Sequence, residues 1–246
     1  MRTITTLNTL ADNYTYVIDS AGVAVVIDAG EAAPVLRVLE RSGAQLLAVM
    51  GTHGHFDHIG GNEELARQTG CAVLRPYDVS NTASELTVGS FVFVLMRTPG
   101  HSADSVSLLL SPQQSEPGAV FTGDTLFVGG CGRMFTHSPQ AMWTSLQSLA
   151  ALPLETRVFC GHDYALENYE FAVTVEPRNM AIRARLEQIR ALVERGEVTV
   201  PSTIGQERAT NPFFRAVQPE MKQALGMEGM ADWQVFARLR QMKDSF

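Results

Sequence analysis

Residues 51–61 read GTHGHFDHIGG and place His53, His55, Asp57 and His58 within six positions of a chain that has only six histidines. Histidines two apart cannot share one face of a helix, so the segment belongs on a turn. The apolar run LLAVMGTH (46–53) feeds directly into it, and Gly60-Gly61 suits a tight, buried exit. On such a turn imidazoles and a carboxylate converge, the donor set that borderline metal ions favour. Whatever fold this chain adopts must therefore end a buried strand in a ligand-bearing loop.

Other strand-like runs end in the same chemistry. FVFVLMRTPGH (91–101), AVFTGD (119–124) and RVFCGH (157–162) close on His101, Asp124 and His162, and SVSLLL (105–110) is a further apolar run. Seven candidate ligands are too many for one tetrahedral ion and suit two, with Asp124 the natural bridge because a carboxylate offers two oxygens. YTYVID (14–19) and VAVVIDAG (23–30) flank Ser20-Ala21-Gly22, a tight hairpin signal. Pro34–Arg41 is helix-like, and Asn62–Gln68 reads as a helix capped by Asn62. After residue 164 the texture changes. Ile182, Leu186, Ile189 and Val193 mark one amphipathic helix, and Trp233, Phe236 and Leu239 a second, beginning at Asp232. PSTIGQERATNPFFR (201–215) is loop-like. A mixed α/β domain over 1–164 followed by a small helical domain over 165–246 is expected.

A formal charge of −7 argues against a nucleic-acid surface, which needs a basic footprint. An acidic chain that binds an anion must gather its cations locally. Three scattered cysteines without a Cys-x-x-Cys pair favour a reducing compartment. With no leader-like start and no apolar stretch near the ~20 residues of a membrane span, a cytoplasmic protein is expected. No Gly-x-Ser-x-Gly elbow offers a competing nucleophile.

THGHFDHIGG resembles the Thr-His-x-His-x-Asp-His motif of the metallo-β-lactamase superfamily, which implies a four-layer αββα sandwich. That pattern assigns His53, His55 and His101 to a first metal and Asp57, His58 and His162 to a second. Asp124 and a hydroxide would lie between the two. Two ions ~3.5–4 Å apart lower the pKa of a shared water toward ~7, and one also polarises the carbonyl under attack. Zinc is expected, with iron or manganese tolerated by the same donors. His137 is left over, as an exposed loop residue.

FTGDTLFVGGCGRMF (121–135), CGHDY (160–164), PSTIGQERATNPFFR and LRQMKDSF (239–246) together resemble glyoxalase II, the hydroxyacylglutathione hydrolases. The resemblance begins at DNYTYVID and runs to the last residue. It implies hydrolysis of S-D-lactoylglutathione to glutathione and D-lactate, as in methylglyoxal detoxification, by a monomer. The family's glutathione-binding positions fall on Arg133, Tyr164, Arg240 and Lys243, with Phe135 where many members carry tyrosine. Arg240 and Lys243, three apart on the final helix, share a face and supply the local cations that an anionic substrate requires. Departures are Phe135, CGHDYA, and Ser102-Ala103-Asp104-Ser105 after TPGH, which bears on hydrogen bonding behind His101. Asp28 reads either as a support behind a metal ligand or as a turn former. Two rivals stand: a mono-iron persulfide dioxygenase of the same superfamily, and a catalytically silent metal-binding protein.

Overall fold

A computed structural model of the chain describes residues 2–75, 85–113, 116–136 and 138–246. His137 lies outside the described residues. The first sheet holds β1 (Thr3–Thr9), β2 (Asn13–Ser20), β3 (Val23–Ile27), β4 (Gln45–Met50) and β5 (Ala72–Leu74) in sequence order. Its first three strands pair antiparallel and β3, β4 and β5 pair parallel. Ala21 (φ 53°) and Gly22 (φ 80°) make the turn between β2 and β3, a left-handed pair whose twist suits a two-residue hairpin.

The second sheet contains β6 (Glu85–Val88), β7 (Phe91–Arg97), β8 (Val106–Leu110), β9 (Ala119–Gly123), β12 (Arg157–Cys160) and β13 (Ser202–Thr203). Its spatial order is β13-β12-β9-β8-β7-β6. β10 (Leu126–Phe127) and β11 (Gly130–Cys131) form a separate two-stranded ribbon.

Strand alternation builds the layers. Val25 and Ile27 of β3, Leu108 of β8, Phe121 of β9 and Phe159 of β12 meet in a core between the sheets. The intervening residues face outward. Ala24 and Val26 pack on Val35 and Leu39 of α1 (Ala32–Ser42) and Leu65 of α3 (Asn62–Thr69). Val120 and Val158 pack on α4 (Pro139–Ala150), α7 (Ile204–Thr210) and α9 (Asp232–Asp244), through Met142, Ile204 and Leu239 among others. The result is a four-layer αββα sandwich. Phe121 and Phe159 stack at 5.2 Å in its middle, each such buried ring stabilising the fold by ~2–3 kcal/mol. α5 (Ala165–Val175) and α6 (Met180–Glu194) join the same core through Tyr169, Ala172, Ile182 and Leu186.

Three local expectations need correction. Asn62 is the first helical residue of α3 and Gly61 holds the cap, because Gly61 is pressed against the backbone of Glu31 and Ala32. Val193 is 41% exposed, so α6 buries only Ile182, Leu186 and Ile189 of the four apolar positions. Residues 201–215 are not a loop. They contain β13, α7 and a 3-10 turn at Phe214–Val217, and the Thr203 hydroxyl caps α7 by accepting from Gln206 N at 3.1 Å.

Candidate metal centre and substrate cleft

All seven expected ligands meet at one end of the sandwich, where the loops after β4, β7, β9 and β12 converge. Two glycines allow that approach. Gly123 has φ 50° and lies against the Thr52 side chain, and Gly161 lies against the Asp124 carboxylate; a Cβ would collide in either place. The backbone of Gly161 also ties the loops together, donating to Gly123 O (2.9 Å) and accepting from Tyr14 N (2.8 Å).

His55 Nδ1 stands 3.0 Å from His53 Nε2 and 3.1 Å from His101 Nε2. On the other side, Asp57 Oδ2 is 3.5 Å from His58 Nε2 and 3.4 Å from His162 Nε2. Asp124 lies between the groups, with Oδ1 3.4 Å from His58 Nε2 and Oδ2 3.4 Å from both His101 Nε2 and His162 Nε2. Donor atoms of His53, His55 and His101 lie within 4.8 Å of one another, as do those of Asp57, His58 and His162.

The far side of four of the five rings faces a fixed polar group. His101 Nδ1 faces Arg133 O at 3.0 Å, His162 Nδ1 faces Asp12 Oδ1 at 2.8 Å, and His58 Nδ1 faces Asp28 Oδ2 at 3.1 Å. His53 Nδ1 faces Thr52 Oγ1 at 3.1 Å, and that hydroxyl in turn donates to Asp28 Oδ2 at 2.9 Å. Thr52 Oγ1, Arg133 O and Asp12 Oδ1 can each accept an Nδ1–H, which leaves the Nε2 lone pairs of His53, His101 and His162 turned toward one another, while neither ring nitrogen of His58 has a hydrogen-bond partner. His58 Nε2 and Asp124 Oδ1 are buried without a hydrogen-bond partner. A cluster of inward lone pairs with an orphaned carboxylate oxygen fits divalent cations, since buried acceptors must be satisfied.

Charge points the same way. Burial, assisted by the neighbouring His58, lowers His53 to about 2, and burial lowers His101, leaving both as neutral bases. Burial opposes charge on His58, yet Asp28, Asp124 and Asp57 outweigh it and lift His58 to about 9. Burial likewise opposes ionisation of Asp124, but His162 and His58 hold its carboxyl well below the usual carboxylate range. The pocket is built around positive charge.

Asp28 satisfies both readings given to it. It has φ 55° at the end of β3, and its carboxylate accepts from Thr52 N at 2.7 Å while backing His58. Among the substituted residues after TPGH, Asp104 Oδ2 accepts from Gly54 N at 3.0 Å and so braces the ligand loop. Ser102 and Ser105 pair through their hydroxyls at 2.6 Å.

Beside this centre lies a cleft of 480 Å³ lined by metal-centre residues and by Arg133, Phe135, Tyr164, Arg240 and Lys243. Tyr164 stacks on His162 at 5.0 Å and 3°, and Phe135, 60% exposed, meets His101 edge-on at 5.1 Å. Arg240 is buried; it donates through Nη1 to Cys131 O (2.8 Å) and through Nε to Asp244 Oδ1 (3.0 Å), and covers the Phe213 ring at 5.1 Å. Lys243 is buried against the Phe246 ring and pairs with the Glu167 carboxylate at the cleft wall. The basic cluster thus exists, with two carboxylates already balancing it. Sequence reading missed Asp12, Asn13, Thr52 and Glu167. Thr52 lies in the quoted THGHFDHIGG, and Asp12 and Asn13 in the quoted DNYTYVID, whereas Glu167 lies in none of the quoted motifs.

No helix among the described residues is long and apolar enough to cross a membrane. Comparison with known proteins agrees with the geometry. Residues 9–82 and 73–162 match the metallo-beta-lactamase superfamily model, and residues 163–246 match that of the hydroxyacylglutathione hydrolase C-terminus. The hydroxyacylglutathione hydrolase of Methylococcus capsulatus is 42% identical, with 96% of each chain covered. The crystal structure of ETHE1 from Myxococcus xanthus superposes with a TM-score of 0.63 at 26% identity, covering 99% of this chain and 100% of that one. TTHA1623, crystallised in a di-iron-bound form, gives a TM-score of 0.58 at 26% identity, covering 86% and 99%. Ligand loop, cleft and C-terminal helices together place this chain in the hydroxyacylglutathione hydrolase family of the metallo-beta-lactamase superfamily.

Proposed function

We propose that the protein hydrolyses S-(2-hydroxyacyl)glutathione thioesters, S-D-lactoylglutathione among them, to glutathione and a 2-hydroxy acid, the hydrolytic step of methylglyoxal detoxification. One observation carries the reading: a single cleft is lined jointly by the histidine–aspartate cluster and by buried Arg240 and Lys243. Two divalent ions, zinc by preference, belong in that cluster. His53, His55 and His101 would hold one and Asp57, His58 and His162 the other, with the Asp124 carboxylate available to both. When bound, such a pair supplies an activated water and polarises a carbonyl.

The chain's own groups do the rest. Arg240, Lys243 and Arg133 receive the substrate carboxylates, and Tyr164, stacked on His162, walls the thiol passage. Water adds its oxygen to the acyl carbon, the C–S bond breaks, and glutathione leaves as a thiolate. A thiol with a pKa near ~8.5 needs no separate acid to depart. In this reading residues 1–164 supply the metal ligands and residues 165–246 supply Arg240 and Lys243. In this reading the enzyme works as a cytoplasmic monomer.

Metal-replete protein should consume S-D-lactoylglutathione, followed as loss of thioester absorbance; no turnover would overturn the assignment. Arg240→Ala with Lys243→Ala should raise KM for this substrate on the order of 10- to 100-fold, the worth of one or two charge-assisted hydrogen bonds. An uncharged thioester should be nearly indifferent. Equal effects on both substrates would remove the basic pocket from the account.

A further inference from the structure

PSTIGQERATNPFFR is one of the two longest discriminating motifs, yet none of its residues lines the cleft. Its side chains go instead to the ribbon formed by β10 and β11. Within the sheets that ribbon pairs only with itself, so ladder bonds do not fix its position. From it, and from the four residues that follow, Phe127, Cys131, Arg133 and Phe135 reach the cleft.

Two fully buried polar residues hold it. Glu207 Oε2 accepts from Gly129 N at 2.9 Å, and Asn211 Nδ2 donates to Gly130 O at 2.9 Å and to Phe127 O at 3.4 Å. The two are bonded to each other (Asn211 Nδ2 to Glu207 Oε2, 2.9 Å), and Ser202 Oγ donates to Glu207 Oε1 at 2.6 Å. Asn211 Oδ1 accepts from Phe213 N at 3.0 Å, fixing the ring that lies under the Arg240 guanidinium. Arg240 closes the circuit by donating to Cys131 O.

We infer that Glu207 and Asn211 are positioning residues for recognition of the glutathione moiety: they set the ribbon, and through it the placement of Arg133 and Arg240 in the cleft. They touch no substrate atom and no metal ligand. The inference rests on the substrate reading given above. A cleft wall displaced by about an ångström loses binding complementarity steeply, whereas the ligand side chains after β4 and β12 make no hydrogen bond to the ribbon, and the one ligand ring tied to the segment following it is His101, through Arg133 O. Glutamine is isosteric here: its oxygen can accept from Gly129 N and Asn211, and its amide can donate to Ser202 Oγ.

The test measures KM and kcat for S-D-lactoylglutathione, the inhibition constant of glutathione, and metal content, in holoenzyme variants. Glu207→Ala should raise KM and the glutathione inhibition constant together, on the order of 10- to 100-fold, with kcat and metal content near wild type. Glu207→Gln should restore both constants. Asn211→Ala should show the same split, and serves where Glu207→Ala does not fold. A folded alanine variant with unchanged KM, or one that loses kcat and metal while KM stays put, would overturn the inference, as would a glutamine variant as impaired as alanine. Failure of the substrate reading looks different: wild-type protein would neither turn over the thioester nor bind glutathione.

Discussion

At the scale of single residues, the metal centre is a set of ligands and a set of acceptors behind them. The candidate ligands were legible because each follows a strand or lies in the His53–His58 segment, whose Asp57 and His58 fall in a short helix at Phe56–Ile59 and where an unusual concentration of histidine stands out. The acceptors were not. Asp12 precedes a strand and reads as a turn former, and its partner His162 is 150 positions away. Its neighbour Asn13 donates to Asp57 Oδ2 at 2.9 Å, so one hairpin turn braces two ligands of the same group. Asp12→Ala should therefore weaken the Asp57–His58–His162 position selectively. Outer partners of this kind are worth 10–100-fold in metal affinity. Elemental analysis after dialysis should show metal content falling from about two per chain toward one; a variant that keeps both ions would show that Asp12 does not orient His162.

Elements were legible in proportion to their periodicity. β3, β8 and β9 declare themselves by apolar runs, and α9 by Phe236 and Leu239 at helical spacing. Residues 201–215 were opaque for a physical reason: Pro201, Gly205 and the Ser/Thr residues are turn formers, while what makes α7 a helix is its burial against β13, α4 and α6. Burying α7 also buries Glu207. Burial raises the Glu207 carboxyl above its ordinary pKa, with Ser202, Asn211 and Gly129 N partly offsetting it. The native state then keeps a proton that the unfolded chain releases, so this group's contribution to stability declines as pH rises from the unfolded value toward the folded one. Glu207→Gln removes that slope. As pH rises above about 4, the ordinary carboxyl value, the Tm of the glutamine variant should gain on wild type. Parallel curves would mean the carboxyl is not perturbed.

For the whole molecule, the sequence showed that strands of both patterns exist and that ligands sit at their ends. Strand alternation alone could not show that two sheets pack face to face, since it fixes which residues are buried but not what covers them; the sandwich came from the motif resemblance. The Arg240–Asp244 pair, four apart within α9, is local to that helix, but nothing in the sequence announced the Lys243–Glu167 pair, which forms only when α9 docks beside α5. With the fold in place, four loops from two sheets and one C-terminal helix meet in a single cleft. The central claim is that this convergence makes a two-ion thioester hydrolase. The most direct measurement is titration of metal-stripped protein with Zn²⁺ while following hydrolysis of S-D-lactoylglutathione. Activity should rise to a plateau with its break near ~2 equivalents per chain. Full activity at ~1 equivalent, or none at saturation, would contradict it.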